Sequence, residues 1–339
     1  MRSFSEGWAR LRSAPALLVG VYAMTVVLAV PLAITMRGLL QAHLGASLAA
    51  EGAATGVNYD WWQEFTSQAA RADARGIGTT FSPTIIGFAA TLDNISSLLD
   101  GQREIAPIAG ALALYLLTWT FLVGGIIDRY ARQRPVRASG FFAASGVHVF
   151  RLVRLAVVSG VVYWWLFAYV HPWLFVEWFA DRTRTMSVER DVFFWRVALY
   201  VLFGTLLVVV NVIFDYAKIR IVVEDRRSAL GALSAAIRFV WRQRRRVASL
   251  YALNGLAFLI VIAIWALVAP GAPGGGPALW LGFLAAQLYV LARLALKLQF
   301  LASETALFQS RLAHASYAAT PVPAWPDSPS AELLKTSSR

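Results

Sequence analysis

The chain has 339 residues, 58% hydrophobic and 15% charged, with a mean hydropathy of +0.58 and a formal net charge of +12. Soluble domains carry about a quarter charged residues, so the composition excludes an ordinary soluble enzyme and points to the membrane. The lack of cysteine excludes disulfides and thiolate metal sites, and a pI near 10.4 does not signal nucleic acid, because the basic residues gather at the ends of apolar runs.

Those runs are about 20 residues long, enough to carry a helix across roughly 30 Å of hydrocarbon. Residues 1–15 form a short basic N-terminus with Arg2, Arg10 and Arg12. The first span is expected over 16–36, with Pro15 suited to a first helical turn and Pro31 inside it. It reads as an uncleaved anchor, since a signal peptide has a shorter apolar core. Residues 37–107 carry four basic against seven acidic side chains, which places them outside. Within them Leu40, Leu44 and Leu48, and later Ile85 to Leu99, repeat at helical spacing, so two or three short surface helices are expected.

The second span is expected over 108–127. Residues 128–154 then carry six basic side chains against one acidic, an inside loop. The third span covers 155–175 and is followed by an outside loop, 171–191, with interfacial Trp173 and Trp178. The fourth covers 193–214. Residues 215–246 hold nine basic and three acidic side chains, half of the net charge in about a tenth of the length, and must lie inside. The fifth span, 247–269, is joined by an uncharged Pro- and Gly-rich turn to the sixth, 279–298. A helical pattern continues to about Tyr317, and the Pro- and Ser-rich tail, 320–339, reads as disordered. The expected architecture is an all-α polytopic transmembrane bundle, a single membrane domain over 1–319, with six spans and both termini cytoplasmic.

The two inside loops resemble each other. Asp128, Tyr130, Ala131 and Arg132 close one span, and Asp215, Tyr216, Ala217 and Lys218 close another. Each is followed by a serine, Ser139 or Ser228, able to cap a short amphipathic helix. After Ser228, Leu230, Leu233, Ile237, Val240 and Trp241 share one face flanked by Arg238 and Arg242, the pattern of an elbow helix in the headgroup plane.

The passage AKIRIVVEDRRSALGALSAAIRFVWRQ resembles the cytoplasmic linker of bacterial six-helix membrane proteins related to the membrane domain of some glycerophosphodiester phosphodiesterases. The shared elements are a short strand-like segment, the acidic pair Glu224 and Asp225, and an amphipathic helix with small residues. The likeness covers about 110–310 and implies the fold and a bacterial inner membrane. It carries no catalytic domain and so no catalytic residue.

The histidines His43, His148, His171 and His314 show no metal-ligand spacing, and no cofactor motif is present. Candidate lipid- or anion-binding residues are Arg226, Arg227, Arg238, Arg242, Arg244, Arg245 and Arg246. Asn211, Asn254 and Gln287 lie within spans, where polar groups bond between helices or line a pathway. Asp215 at a helix C-terminus would oppose the helix dipole and need a basic partner, expected to be Arg293, within a girdle that includes Asp128, Arg154 and Lys297. Three functions follow: a non-enzymatic accessory protein binding anionic lipid, a membrane partner or its own copies; a small permease using Asn211, Asn254 and Gln287; or a lipid-headgroup enzyme whose footholds are Asp60, Glu64 and the Arg cluster.

Overall fold

The computed structural model describes residues 2–44, 60, 106–268 and 276–311. Of the expected outside segment 37–107, residues 45–59 and 61–105 lie outside the described residues, as do 269–275, with most of the Pro- and Gly-rich turn, and the tail beyond 311.

Apart from Asp60, the described residues form eight helices and their short connections. Helix α1 (Arg2–Arg12) is followed by α2 (Pro15–Leu44), α3 (Ala106–Arg132), α4 (Ala138–Thr183, as one continuous helix), α5 (Glu189–Val223), α6 (Ala229–Arg242), α7 (Arg244–Val268) and α8 (Pro277–Arg311). No strand occurs among the described residues. Four of these helices, α4, α5, α7 and α8, are long and apolar enough to cross a membrane, or five if the bent pair α1 and α2, which turns through 75°, counts as one. Between 11 and 22% of each apolar window is buried inside the bundle. The remainder faces outward: Leu116, Val157, Val201, Leu259 and Leu288 are all exposed. A water-facing surface would not carry this much contiguous apolar side chain, whereas a lipid-facing one requires it.

The tightly packed core lies toward the end of the bundle that α1 and α6 close. Ile126, Ile127, Tyr130, Leu155, Tyr216, Ile219 and Leu298 are sealed there. Glycines allow the closest helix contacts. A Cβ on Gly7 would stand 2.7 Å from Ser303 Cβ, and one on Gly125 would stand 2.4 Å from Ser145 Oγ. Thus α1 lies directly on α8, and α3 directly on α4.

Helix ends are satisfied by side chains from remote parts of the chain. At the end of α3, the Tyr130 carbonyl accepts from Arg10 Nη1 at 3.1 Å and the Ala131 carbonyl from Gln309 Nε2 at 3.2 Å. These are carbonyls that a helix leaves without an internal partner, and cations there also complement its dipole. Arg10 pairs with Glu6 and donates to Gln309 Oε1 at 2.8 Å, so the basic N-terminus is a docked helix that clamps α3 to α8. Gln133 and Asp225 adopt left-handed backbone just past α3 and α5, with φ of 53° and 50°. Aspartate tolerates that conformation better than most residues.

Helix α6 forms where the Ser228 hydroxyl predicts it, and that oxygen accepts from the Gly231 amide at 3.1 Å. Its buried stripe is Ala229, Ala232, Ala235, Ala236 and Phe239, packed mainly on α5. Leu230, Ile237 and Trp241 from the expected apolar face are 66, 47 and 72% exposed, while Leu233 and Val240 pack partly against the core.

Four expectations are corrected. The third span is part of a 46-residue helix, α4, which runs on as π-helix over Leu166–Val170 and Trp173–Trp178 through what reads as an outside loop. No separate elbow helix follows Ser139, because that residue is already inside α4, whose N-cap is Arg137. The strand-like segment after Ala217 is helical to Val223, because Arg220 bonds both oxygens of Glu224 at 2.9 and 3.0 Å across one turn. Asp215 therefore lies inside a helix and not at its C-terminus.

Gly7→Val tests the clamp. Forcing branched carbons into Ser303 and Gln299 is expected to cost about 1–3 kcal/mol, read as a lower thermal midpoint in detergent. An unchanged midpoint would mean that α1 does not rest on α8.

Candidate functional site

Three helices present polar side chains to one another in a cluster that runs inward from exposed Asn211 to buried Glu304. On α5, Asn211, Asp215 and Lys218 follow at i, i+4 and i+7, so they share a face. Asp215 Oδ1 accepts from Lys218 Nζ at 2.7 Å, and its Oδ2 accepts from Asn211 Nδ2 at 2.8 Å and from the Tyr251 hydroxyl of α7 at 2.6 Å. The carboxylate of Asp215 is 14% exposed and the Lys218 side chain 28%. The basic partner is thus Lys218, one turn along the same helix, and not Arg293. Glu304 of α8 is fully buried in the electrostatic neighbourhood of Asp215, Lys218 and Tyr251.

The three polar residues picked out within spans all bond between helices. Asn211 links α5 to α7 through the Tyr251 hydroxyl at 3.3 Å. Asn254, wholly buried in α7, donates to Ser303 Oγ of α8 at 2.9 Å. Gln287 Oε1 of α8 accepts from the Tyr22 hydroxyl of α2 at 2.8 Å. Bonds of this kind contribute about 0.6 to 2 kcal/mol each in a membrane.

Next to this centre lies a groove of about 580 Å³ between α2, α3, α7 and α8. Among the described residues its lining is apolar except for Thr25, Tyr115, Arg293 and Lys297. Lys297 Nζ donates to the Tyr115 hydroxyl at 2.6 Å and stands 3.6 Å from the Trp119 ring centroid. The Arg293 guanidinium lies over the rings of Phe258 and Tyr289, at 5.9 and 5.5 Å. Both cations are steadied by aromatic faces, which attract positive charge while leaving it uncompensated. Among the described residues neither makes an ion pair. A groove with two unneutralised cations in an apolar wall attracts an anion bearing an apolar body.

The expected girdle does not form as one ring. Asp128 pairs with Arg132 at 2.9 Å, Asp215 with Lys218, Arg154 is exposed, and Arg293 and Lys297 sit on aromatics. Of the seven candidate lipid-binding arginines, Arg227, Arg238, Arg242, Arg244, Arg245 and Arg246 are exposed, Arg244 with its guanidinium over the Trp241 ring at 5.6 Å. Arg226 is half-buried and bonds Glu224. The acidic pair of the resemblance is structural: Glu224 holds Arg220 and Arg226, and Asp225 pairs with Arg151 of α4. Asp60 is described as helical, whereas Glu64 lies outside the described residues.

Sequence reasoning missed Tyr251, Glu304, Tyr115 and Trp119. For Glu304 a signal existed, a lone carboxylate within the apolar run from Leu301 to Phe308. Tyr115 and Trp119 carried none, because their relation to Lys297 spans 182 residues and depends on helix packing.

No family model, no curated protein and no solved structure matches this chain.

Asp215→Asn keeps the side-chain shape but removes the charge that pairs with Lys218. The expected cost is about 1–3 kcal/mol, that of a partly buried cation losing its acceptor, seen as a lowered midpoint in detergent. Lys218→Met added to that variant is expected to recover part of the loss, and no recovery would show that the pair does not act as a unit.

Proposed function

We propose that this is a six-span, non-enzymatic membrane protein, with both termini cytoplasmic in a bacterial inner membrane, that binds anionic lipid. The observation that carries the reading is the groove holding Arg293 and Lys297, two cations in an apolar wall with aromatic rather than acidic partners. A phosphate headgroup supplies the missing charge, and its acyl chain matches the lining. The exposed arginines around α6, beside exposed Leu230, Ile237 and Trp241, support the same reading, since side chains of both kinds meet at a headgroup boundary. Such contacts also suit an accessory role beside a membrane partner or a second copy, with lipid filling the interface.

One observation favours transport as a second reading: Glu304, a buried carboxyl within the electrostatic reach of Asp215 and Lys218. Intramembrane carboxyls are costly and often carry protons or ions. In proteoliposomes, a Glu304→Gln variant separates the two readings, because lipid binding at the groove survives that change and a carrier loses flux.

Native mass spectrometry of the chain extracted with its lipids tests the first reading. Wild type is expected to retain phosphatidylglycerol or cardiolipin through detergent exchange. R293Q with K297Q should retain several-fold less at an unchanged melting midpoint. Equal retention by both proteins would contradict it.

A further inference from the structure

A second groove, of about 650 Å³, runs between the α1–α2 elbow and the α3–α4 hairpin. Leu17, Val21 and Met24 line one side, and Phe121, Leu122 and Phe142 the other. Among the described residues its one charged lining residue is Arg129, which is 7% exposed. Arg129 Nη2 donates to the Ser13 carbonyl at 3.0 Å, but Nη1 is shut from water with no hydrogen-bond partner among the described residues. A charged donor left in that state costs more than about 1–3 kcal/mol. Asp128, its neighbour in sequence, is committed to Arg132. Pro135 and Val136 also line the groove, and the adjoining Arg134 and Arg137 are exposed.

We infer that this groove is a second, separate lipid site, which takes an acyl chain of one acidic phospholipid along Leu17, Val21 and Met24 and its phosphate at Arg129. The inference rests on the reading of the chain as a membrane protein that binds anionic lipid, and adds a site that the Arg293 groove does not share. The volume falls within the roughly 300–1,000 Å³ of small-molecule pockets. An acyl chain is thinner than an α-helix, which is about 10 Å across with its side chains, and suits a slot between packed helices. The orphaned guanidinium nitrogen selects a negative headgroup over a zwitterionic one, whose own cation would oppose it. Charge-assisted bonds of guanidinium to phosphate are the strong class of hydrogen bond.

The test reconstitutes the full chain into phosphatidylcholine vesicles doped with phosphatidylglycerol that carries a photoreactive diazirine in one acyl chain. After illumination, adducts are mapped by peptide mass spectrometry. Adducts are expected on the segment from Leu17 to Met24 and on Phe121 and Leu122, and should fall several-fold in R129Q. Gly20→Leu should lower them equally without touching any charge, because a side chain at Gly20 grows from open space into the groove. R129K should keep most of the labelling. Equal adducts in wild type, R129Q and G20L would overturn the proposal, as would equal labelling by the same probe on a phosphatidylcholine headgroup. Stronger labelling by a diazirine fatty acid than by the phospholipid would also overturn it. Adducts near Tyr115 and Phe258 report the other groove separately: their loss alone counts against the proposed function and leaves this site standing.

Discussion

The rest of the basic end depends on how Arg220 is held. It is buried to 8% exposure, bonds Glu224 through both carboxylate oxygens, and lies over the adjoining rings of Phe239 and Phe308 at 5.8 and 5.1 Å. A charge in such a place is tolerated only when paired and hydrogen-bonded. Once it is, three elements become fixed together: the last turns of α5, the underside of α6 and the end of α8. Tyr216 completes the cluster, with its ring 5.0 Å from that of Phe239. Since Phe239 and the alanine stripe are consumed in this joint, α6 must turn Leu230, Ile237 and Trp241 outward. An internal ion pair thereby sets which side of a surface helix meets the surroundings.

The same economy of charge recurs through the bundle. Several acidic residues are spent on basic neighbours in sequence, Asp128 on Arg132, Asp215 on Lys218, and Glu224 on Arg220 and Arg226, while Asp225 reaches Arg151 of α4. With 31 basic and 19 acidic residues in the chain, cations must be left over, and their positions carry meaning. Some are exposed around α6. Arg293, Lys297 and Arg129 instead line apolar grooves, where an uncompensated cation is expensive unless an anion arrives. Aromatic faces offset part of that cost for Arg293 and Lys297 without removing the attraction for a headgroup.

The helical class was legible in the sequence, and each expected apolar run falls on one of the long helices, because an apolar run of about 20 residues has few other uses. Ser228 marked the start of α6 through simple capping chemistry. What could not be read were decisions made by packing. Charge patterning suggested that α5 stops near Asp215, but the Arg220–Glu224 bond and burial of Ile219 and Ile221 carry it to Val223. The passage around His171 looked like a loop for its interfacial tryptophans, yet His171, Phe175 and Phe203 pack into a second small core that keeps α4 helical. Arg293 was paired with Asp215 by charge alone, whereas Lys218, one turn away, reaches the carboxylate first.

The central claim is that leftover cations bind acidic lipid specifically, beyond the general attraction of a basic protein for a negative leaflet. The most direct measurement is the phospholipid composition of particles cut from the membrane with a polymer, without detergent, compared with the bulk membrane. A several-fold enrichment of acidic phospholipid, maintained at high salt where surface attraction is screened, is the predicted result. A composition equal to the bulk membrane, or an enrichment that vanishes with salt, would contradict the account.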